Sequence, residues 1–203
     1  MRLFLLWTDI SFVRGLIKKL HGESHEVVYW VGMDGEEEFP DIIFHNHYRA
    51  WEGVPAAKLQ SENFGPPSRE LISKYHRLES LVLTMMNKHF DGMGTDERRH
   101  LYYKMLSYWY GVIKKICPEG IIFNTVPHAV YDYILYEIAR SEGIKTIMFR
   151  GTLPVAGRLL VYEDFREGDF SLRQQVEKNK NNKYSVTDLS NEWREFYKKQ
   201  TSP

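Results

Sequence analysis

The chain has 203 residues, with 27 basic and 27 acidic side chains and a formal net charge of zero at pH 7. That balance excludes the broad basic field of a nucleic-acid binder, and the single cysteine, Cys117, excludes an internal disulfide framework and a cysteine-rich zinc site. The length gives one α/β domain a sizeable core, and an aromatic share of 14% points first to a thick core and second to an aromatic-lined surface.

The apolar run Leu3 to Trp7 has strand length and reads as a first strand covered on both faces. It has neither a cleavage site nor the length to span a bilayer, so the expectation is a cytosolic protein, with the inner face of the membrane as a further place of work. Thr8-Asp9 ends the strand, and Ser11 is the expected N-cap of a helix over Phe12 to Leu20 whose apolar face is Phe12, Leu16, Ile17 and Leu20. A second strand follows over Glu26 to Val31, which makes the opening a β-α-β unit.

The Gly32 to Pro40 stretch is a loop whose three glutamates read as solvated charge. A third strand is expected over Asp41 to Phe44, ending in His45-Asn46-His47-Tyr48. Residues 49 to 67 show no period and five Gly or Pro breakers, and a loop this long inside a compact domain is usually functional or mobile. One long helix is expected from Arg69 to about His89, capped by Ser68, and another from Thr95 to Ile116. The second carries Tyr102, Tyr103, Tyr108, Trp109 and Tyr110, more aromatics than one helix face needs. Core packing is the plain reading; a sugar-stacking or partner-facing surface is the sharper one.

A strand, a helix and a strand then occupy Gly120 to Thr152, with polar residues closing both strands: Asn124, Thr125 and His128 after the first, Arg150, Gly151 and Thr152 at the second. Leu159 to Tyr162 reads as one more short strand. Residues 1–165 thus form a doubly wound, mainly parallel α/β domain flanked by helices, and 166–203 a polar helical tail or the start of a linker.

In parallel α/β sheets, ligands bind outside the carboxyl ends of the strands, and this places the candidate chemistry. The dinucleotide-binding glycine fingerprint, the phosphate loop, the GxSxG elbow and the HExxH zinc motif are all missing from the sequence. His128, at the start of a helix, suits a general base for a hydroxyl or a ligand for phosphate, with a capping histidine as the alternative. Asp9 is the second candidate base, with a turn residue as its alternative. Asn124, Thr125, Arg150, Gly151, Thr152, His45 and His47 are candidate binding residues. His45 and His47, two apart on a strand, would face one side together, but without a third ligand the expectation is no metal.

The segments SFVRGLIKKL, HEVVYW and IIFNTVPHAVYDYILYEIARSEGIKTIMFRGTLPVAGRLLVYEDF resemble the capsule polysaccharide biosynthesis glycosyltransferases, a Kdo-transferase-like group. The shared features are a strand ending in Asn with a nearby His, a helix with an Ile-Ala-x-x-x-Gly-Ile turn, and a Gly-x-Leu-Pro segment, here Gly151 to Pro154. Where the family often carries Glu before that glycine, this chain has Arg150. The resemblance implies a metal-independent GT-B enzyme, of which this chain would be the acceptor-side, Rossmann-like half, with a second domain still to be found. It also implies a nucleotide-sugar as substrate rather than a bound cofactor, a cell-surface glycan as acceptor, and peripheral membrane association as an option. A non-catalytic α/β binding module that docks through the aromatic helix is the competing expectation, and a hydrolase using Asp9 the weaker third.

Overall fold

Each buried strand here is a short apolar run, and together they build one sheet. The computed structural model describes residues 1–151, 159–168 and 170–201. In chain order its elements are β1 (Arg2–Leu6), α1 (Ile10–Gly22), β2 (Glu26–Gly32), β3 (Ile43–Asn46), α2 (His47–Trp51), α3 (Arg69–Lys74), α4 (His76–Met86), α5 (Thr95–Ile116), β4 (Gly120–Phe123), α6 (Val130–Ser141), β5 (Lys145–Gly151), β6 (Leu159–Tyr162), α7 (Phe170–Asn179) and α8 (Asn191–Thr201). The sheet order is β3-β2-β1-β4-β5-β6. Strands β1 to β5 run parallel and β6 runs antiparallel on the edge. The chain is α/β, with a mostly parallel six-stranded sheet flanked by helices, an arrangement compatible with Rossmann-like folds.

Alternation along the strands divides the core into two layers. Phe4, Tyr29, Val31, Ile121 and Phe123 point into the larger layer, where α4, α5 and α6 supply Val82, Leu106, Trp109, Leu135 and Tyr136. Leu5, Val27 and Trp30 point the other way and meet Val13 and Ile17 of α1. Among the described residues, the cover on that second face lies over β1 to β3, with Ile122 of β4 at its margin. In-register neighbours share a face, so Ile147 and Phe149 of β5 and Leu159 and Val161 of β6 continue it, and Ile147, Leu159 and Val161 are exposed there.

Three boundaries differ from the sequence expectation. Helix α1 begins at Ile10, because Asp9 and not Ser11 is its N-cap. Strand β3 lies two residues later than expected, so His45 belongs to the strand while His47 opens α2. The long helix from Arg69 is broken at Tyr75, whose φ and ψ of −109° and 19° leave the helical basin. The Tyr75 carbonyl accepts a hydrogen bond from the Tyr102 hydroxyl, 3.1 Å away, and its own hydroxyl reaches Ser141 of α6. Tertiary partners, not a breaker residue, set that kink.

No described residue from 170 to 201 is buried. Phe165 and Arg166 still pack on Tyr133 and Tyr136 of α6, so the core reaches that far. Among the described residues no helix is long and apolar enough to cross a membrane.

Candidate functional site

The winding order changes direction between β1 and β4. The chain goes from β1 outward to β3 and then crosses back to β4 on the other side. Loops leaving the carboxyl ends of these two neighbours must diverge, and the crevice between them is where such sheets hold ligands. Leu6 and Phe123 are in register at the strand ends. Beyond them the Asn124 N–H donates to the Leu6 carbonyl at 2.9 Å, and the Asn124 side chain reaches the Thr8 hydroxyl at 3.4 Å. The resulting cavity has a volume of about 220 Å³, with Thr8, Asn124, His47, His128, Tyr131 and Asp132 supplying its polar groups. Thr125 and Trp51 also line it.

His128 sits just before α6, exposed, with its ring orientation fixed by a backbone contact. Its Nδ1 lies 2.9 Å from the Val126 carbonyl. A carbonyl only accepts, so Nδ1 carries the proton, and in the neutral ring Nε2 is left as a lone pair. Asp132, in the first turn of α6, accepts the His128 backbone N–H on Oδ2 at 3.2 Å. Its Oδ1 is buried without a hydrogen-bond partner. Burial pushes the Asp132 carboxyl up to about 7, against the opposing pull of the His128 backbone N–H and the His128 charge. A carboxyl with so raised a pKa in a cleft marks a candidate functional site.

His47 is the first residue of α2, and Asn46 fixes the start of that helix. The Asn46 Oδ1 accepts from Tyr48 and Arg49 backbone N–H groups, and its amide donates to the Met33 carbonyl. From there His47 Nδ1 meets the Tyr131 hydroxyl at 2.6 Å. Burial lowers the His47 pKa, and the His128 charge adds to the effect. Tyr131 is itself buried and stacked on Trp109, and burial raises its hydroxyl well above the ordinary value, with Asp132 adding to it. His128, Asp132, His47 and Tyr131 therefore line one small cavity, with Asp132 tied to the His128 backbone and His47 to the Tyr131 hydroxyl.

The remaining candidates lie elsewhere. His45 is a core residue, 1% exposed, with both ring nitrogens engaged. Its Nε2–H donates to the Val54 carbonyl at 2.8 Å, so Nδ1 accepts from the Tyr29 hydroxyl at 2.6 Å. Tyr29 in turn meets the Tyr108 hydroxyl at 2.8 Å, and Tyr108 accepts the Ala56 N–H. Burial holds the His45 imidazole down at about 4, outweighing the bond to Val54. His45 thus pins the 54–56 segment to the core and does not line the cavity. It does not face one side with His47 either, because the strand ends between them.

Asp9 is the cap of α1: its Oδ1 accepts from the Ser11 N–H at 2.9 Å and the Ser11 hydroxyl at 2.6 Å. The Ser11 hydroxyl is the main cause that holds its carboxyl below the usual range. It is exposed and does not line the cavity, so the geometry gives it a helix-capping role instead of a base's. Arg150 and Gly151 are exposed and paired with Leu160 and Leu159 of β6, so β5 runs on past the crevice at these positions. Thr152 lies outside the described residues. Among the described residues no group of three His, Cys, Asp or Glu side chains sits together in a way that would hold a metal ion.

Sequence reasoning passed over Tyr131, Asp132 and Trp51. Asp132 had a readable signal: an acidic residue at the third position of a helix often turns back on the backbone before it. Tyr131 and Trp51 had none, since aromatics on an apolar face look like core.

In comparisons with protein-family models, with curated proteins and with solved structures, this chain matches none of them.

Proposed function

We propose that the cavity between β1 and β4 is an acid–base site that activates a hydroxyl of a sugar, and that the chain is the acceptor-side half of a GT-B glycosyltransferase acting on a capsule- or lipopolysaccharide-type glycan. The observation that carries this reading is the His128 ring, held by the Val126 carbonyl as the Nδ1–H tautomer beside a buried carboxyl, at the crevice where the sheet reverses. Nε2 takes the proton of the acceptor hydroxyl as that oxygen bonds to the anomeric carbon, and the nucleotide leaves with the electrons of the broken bond. Asn124, Thr8 and Thr125 supply neutral donors and acceptors suited to sugar hydroxyls, and Trp51 an aromatic wall. The nucleotide-sugar enters as substrate, held by a second Rossmann-like half, and no metal takes part. Such an enzyme works on the cytoplasmic side, where it meets the membrane peripherally.

Calorimetric titration of the chain with capsule and lipopolysaccharide oligosaccharides tests the binding half of this reading. Asn124→Ala and His128→Ala are expected to weaken a bound oligosaccharide at least fivefold. Unchanged affinity in both variants removes the cavity from acceptor binding.

One observation favours a second reading, a non-catalytic interaction module. The aromatic helix α5 is not its docking face, because Tyr102, Tyr108 and Trp109 are buried in the core. The exposed Ile147, Leu159 and Val161 on β5 and β6 offer an apolar face instead. Sedimentation velocity separates the two: a dimer that Val161→Lys dissociates, with no glycan bound by either form, favours the module.

A further inference from the structure

A second cavity lies apart from the crevice, along α5, where two features of the sequence meet: the unperiodic loop before α3 and the aromatic-rich helix. His100, Tyr103, Lys104, Ser107 and Gly111 recur at helical three- and four-residue spacing, so they form one stripe about 16 Å long. The strap from Glu62 to Pro67 crosses this stripe. Its turn is preset, since Gly65 adopts φ +66°, where a side chain would be strained, and the Asn63 side chain accepts the Gly65 N–H at 2.9 Å. Pro66 and Pro67 add stiffness.

The strap leaves space on both sides of its aromatic residue. Phe64 sits over Gly111, where an added Cβ would run into the ring, and it meets the Tyr108 ring edge-on. One cavity of about 360 Å³ opens toward His100, Tyr103 and Lys104, and another of about 360 Å³ toward Leu71 and Tyr110. Ser107 lines both. It is 8% exposed, and its Oγ is buried with no hydrogen-bond partner. A buried hydroxyl left unpaired is costly unless something meets it. Phe64 shows what the stripe accepts, a flat apolar ring. Of the charged groups at the mouth, Glu62 is paired with Lys115 at 3.0 Å, whereas Lys104 has no ion pair among the described residues, so the open charge is positive.

We propose that the groove between α5 and the 62–67 strap binds a small planar aromatic anion carrying a ring hydroxyl, the ring lying between Tyr103 and the prolines, the hydroxyl on Ser107 Oγ and the anionic group at Lys104. The cavity has room for one or two fused rings. Its stiff strap means that little ordering is lost on binding. The site is independent of the sugar-transfer reading, since it shares no lining residue with the crevice.

Isothermal titration with 6-hydroxy-2-naphthoate, 2-naphthoate and glucuronate tests it on the whole chain. The hydroxynaphthoate is expected to bind at least tenfold tighter than 2-naphthoate, because the hydroxyl meets a buried partner. Ser107→Ala should abolish that preference, and the surface variant Lys104→Gln should weaken both naphthoates at least fivefold and remove their salt dependence. His128→Ala should leave all of these affinities unchanged, so failure here and failure of the sugar site are told apart. No saturable naphthoate binding at millimolar concentration, affinities unmoved by Lys104→Gln, or a preference for glucuronate would each overturn the proposal.

Discussion

Replacing Asp132 by Asn tests the electrostatics of the crevice directly. The folded chain holds the Asp132 carboxyl at about 7 instead of its ordinary 3.8. At about 1.4 kcal/mol per tenfold change in proton affinity, ionising it costs the fold roughly 4 kcal/mol in full. The folded state binds this proton more tightly than the unfolded one. Stability therefore falls as pH rises from about 4 to about 7, and the cost is complete above that window. His45 acts in the opposite sense. Its imidazole sits at about 4 against an ordinary 6.5, so the unfolded chain takes the proton first, and roughly 3 kcal/mol is lost as pH falls from 6.5 to 4. In the native protein the two slopes oppose each other below pH 6.5. The amide introduced by Asp132→Asn keeps an oxygen for the His128 N–H but cannot ionise. Urea unfolding followed by fluorescence of the five tryptophans should show the stability gap between variant and native growing by roughly 3 kcal/mol, in the variant's favour, between pH 5 and pH 8. The variant alone should show the rising His45 slope. A gap that does not change with pH would refute the buried, proton-holding carboxyl.

Other outcomes follow from the packing. Tyr29→Phe removes the donor to His45 Nδ1 and leaves two buried groups unmatched, so equilibrium unfolding should register a loss of about 1–3 kcal/mol. Gly111→Ala drives a methyl into Phe64 and should destabilise by about 1–3 kcal/mol, whereas in a Phe64→Ala background the same change should stabilise by up to about 1 kcal/mol through helix propensity. Denaturant titration of the four species checks the reversal of sign. Truncation after Glu167 removes no buried described residue, so the remaining core should keep its thermal midpoint within a few degrees by calorimetry.

Much of the fold was legible because apolar runs of strand length and helical stripes rarely have another use. Leu3 to Trp7, Glu26 to Val31 and Ile121 to Phe123 pointed to buried parallel strands, and the polar residues at the carboxyl end of the third run made the region after Phe123 the place to look. Asn124, Thr125, His128 and His47 do meet in one cavity there. What stayed illegible depends on neighbours distant in sequence. The kink at Tyr75 is set by Tyr102 and Ser141, which local periodicity cannot report. His45 looks like a strand-end ligand until Tyr29 and Val54 take both its nitrogens, and Asp9 looks like a base until Ser11 takes its carboxylate. Asp132 reads as ordinary first-turn acid, since only burial gives it a proton at neutral pH.

The central claim is that His128 serves as the base for sugar transfer. The direct measurement incubates the chain, joined to its donor-binding half where that is a separate domain, with nucleotide-sugars and capsule-type oligosaccharides, and follows the acceptor mass. The account predicts an acceptor heavier by one sugar residue, with the rate falling at least about a hundredfold in His128→Asn. Equal rates in the two proteins, or no product from the native chain with any donor and acceptor, would contradict it.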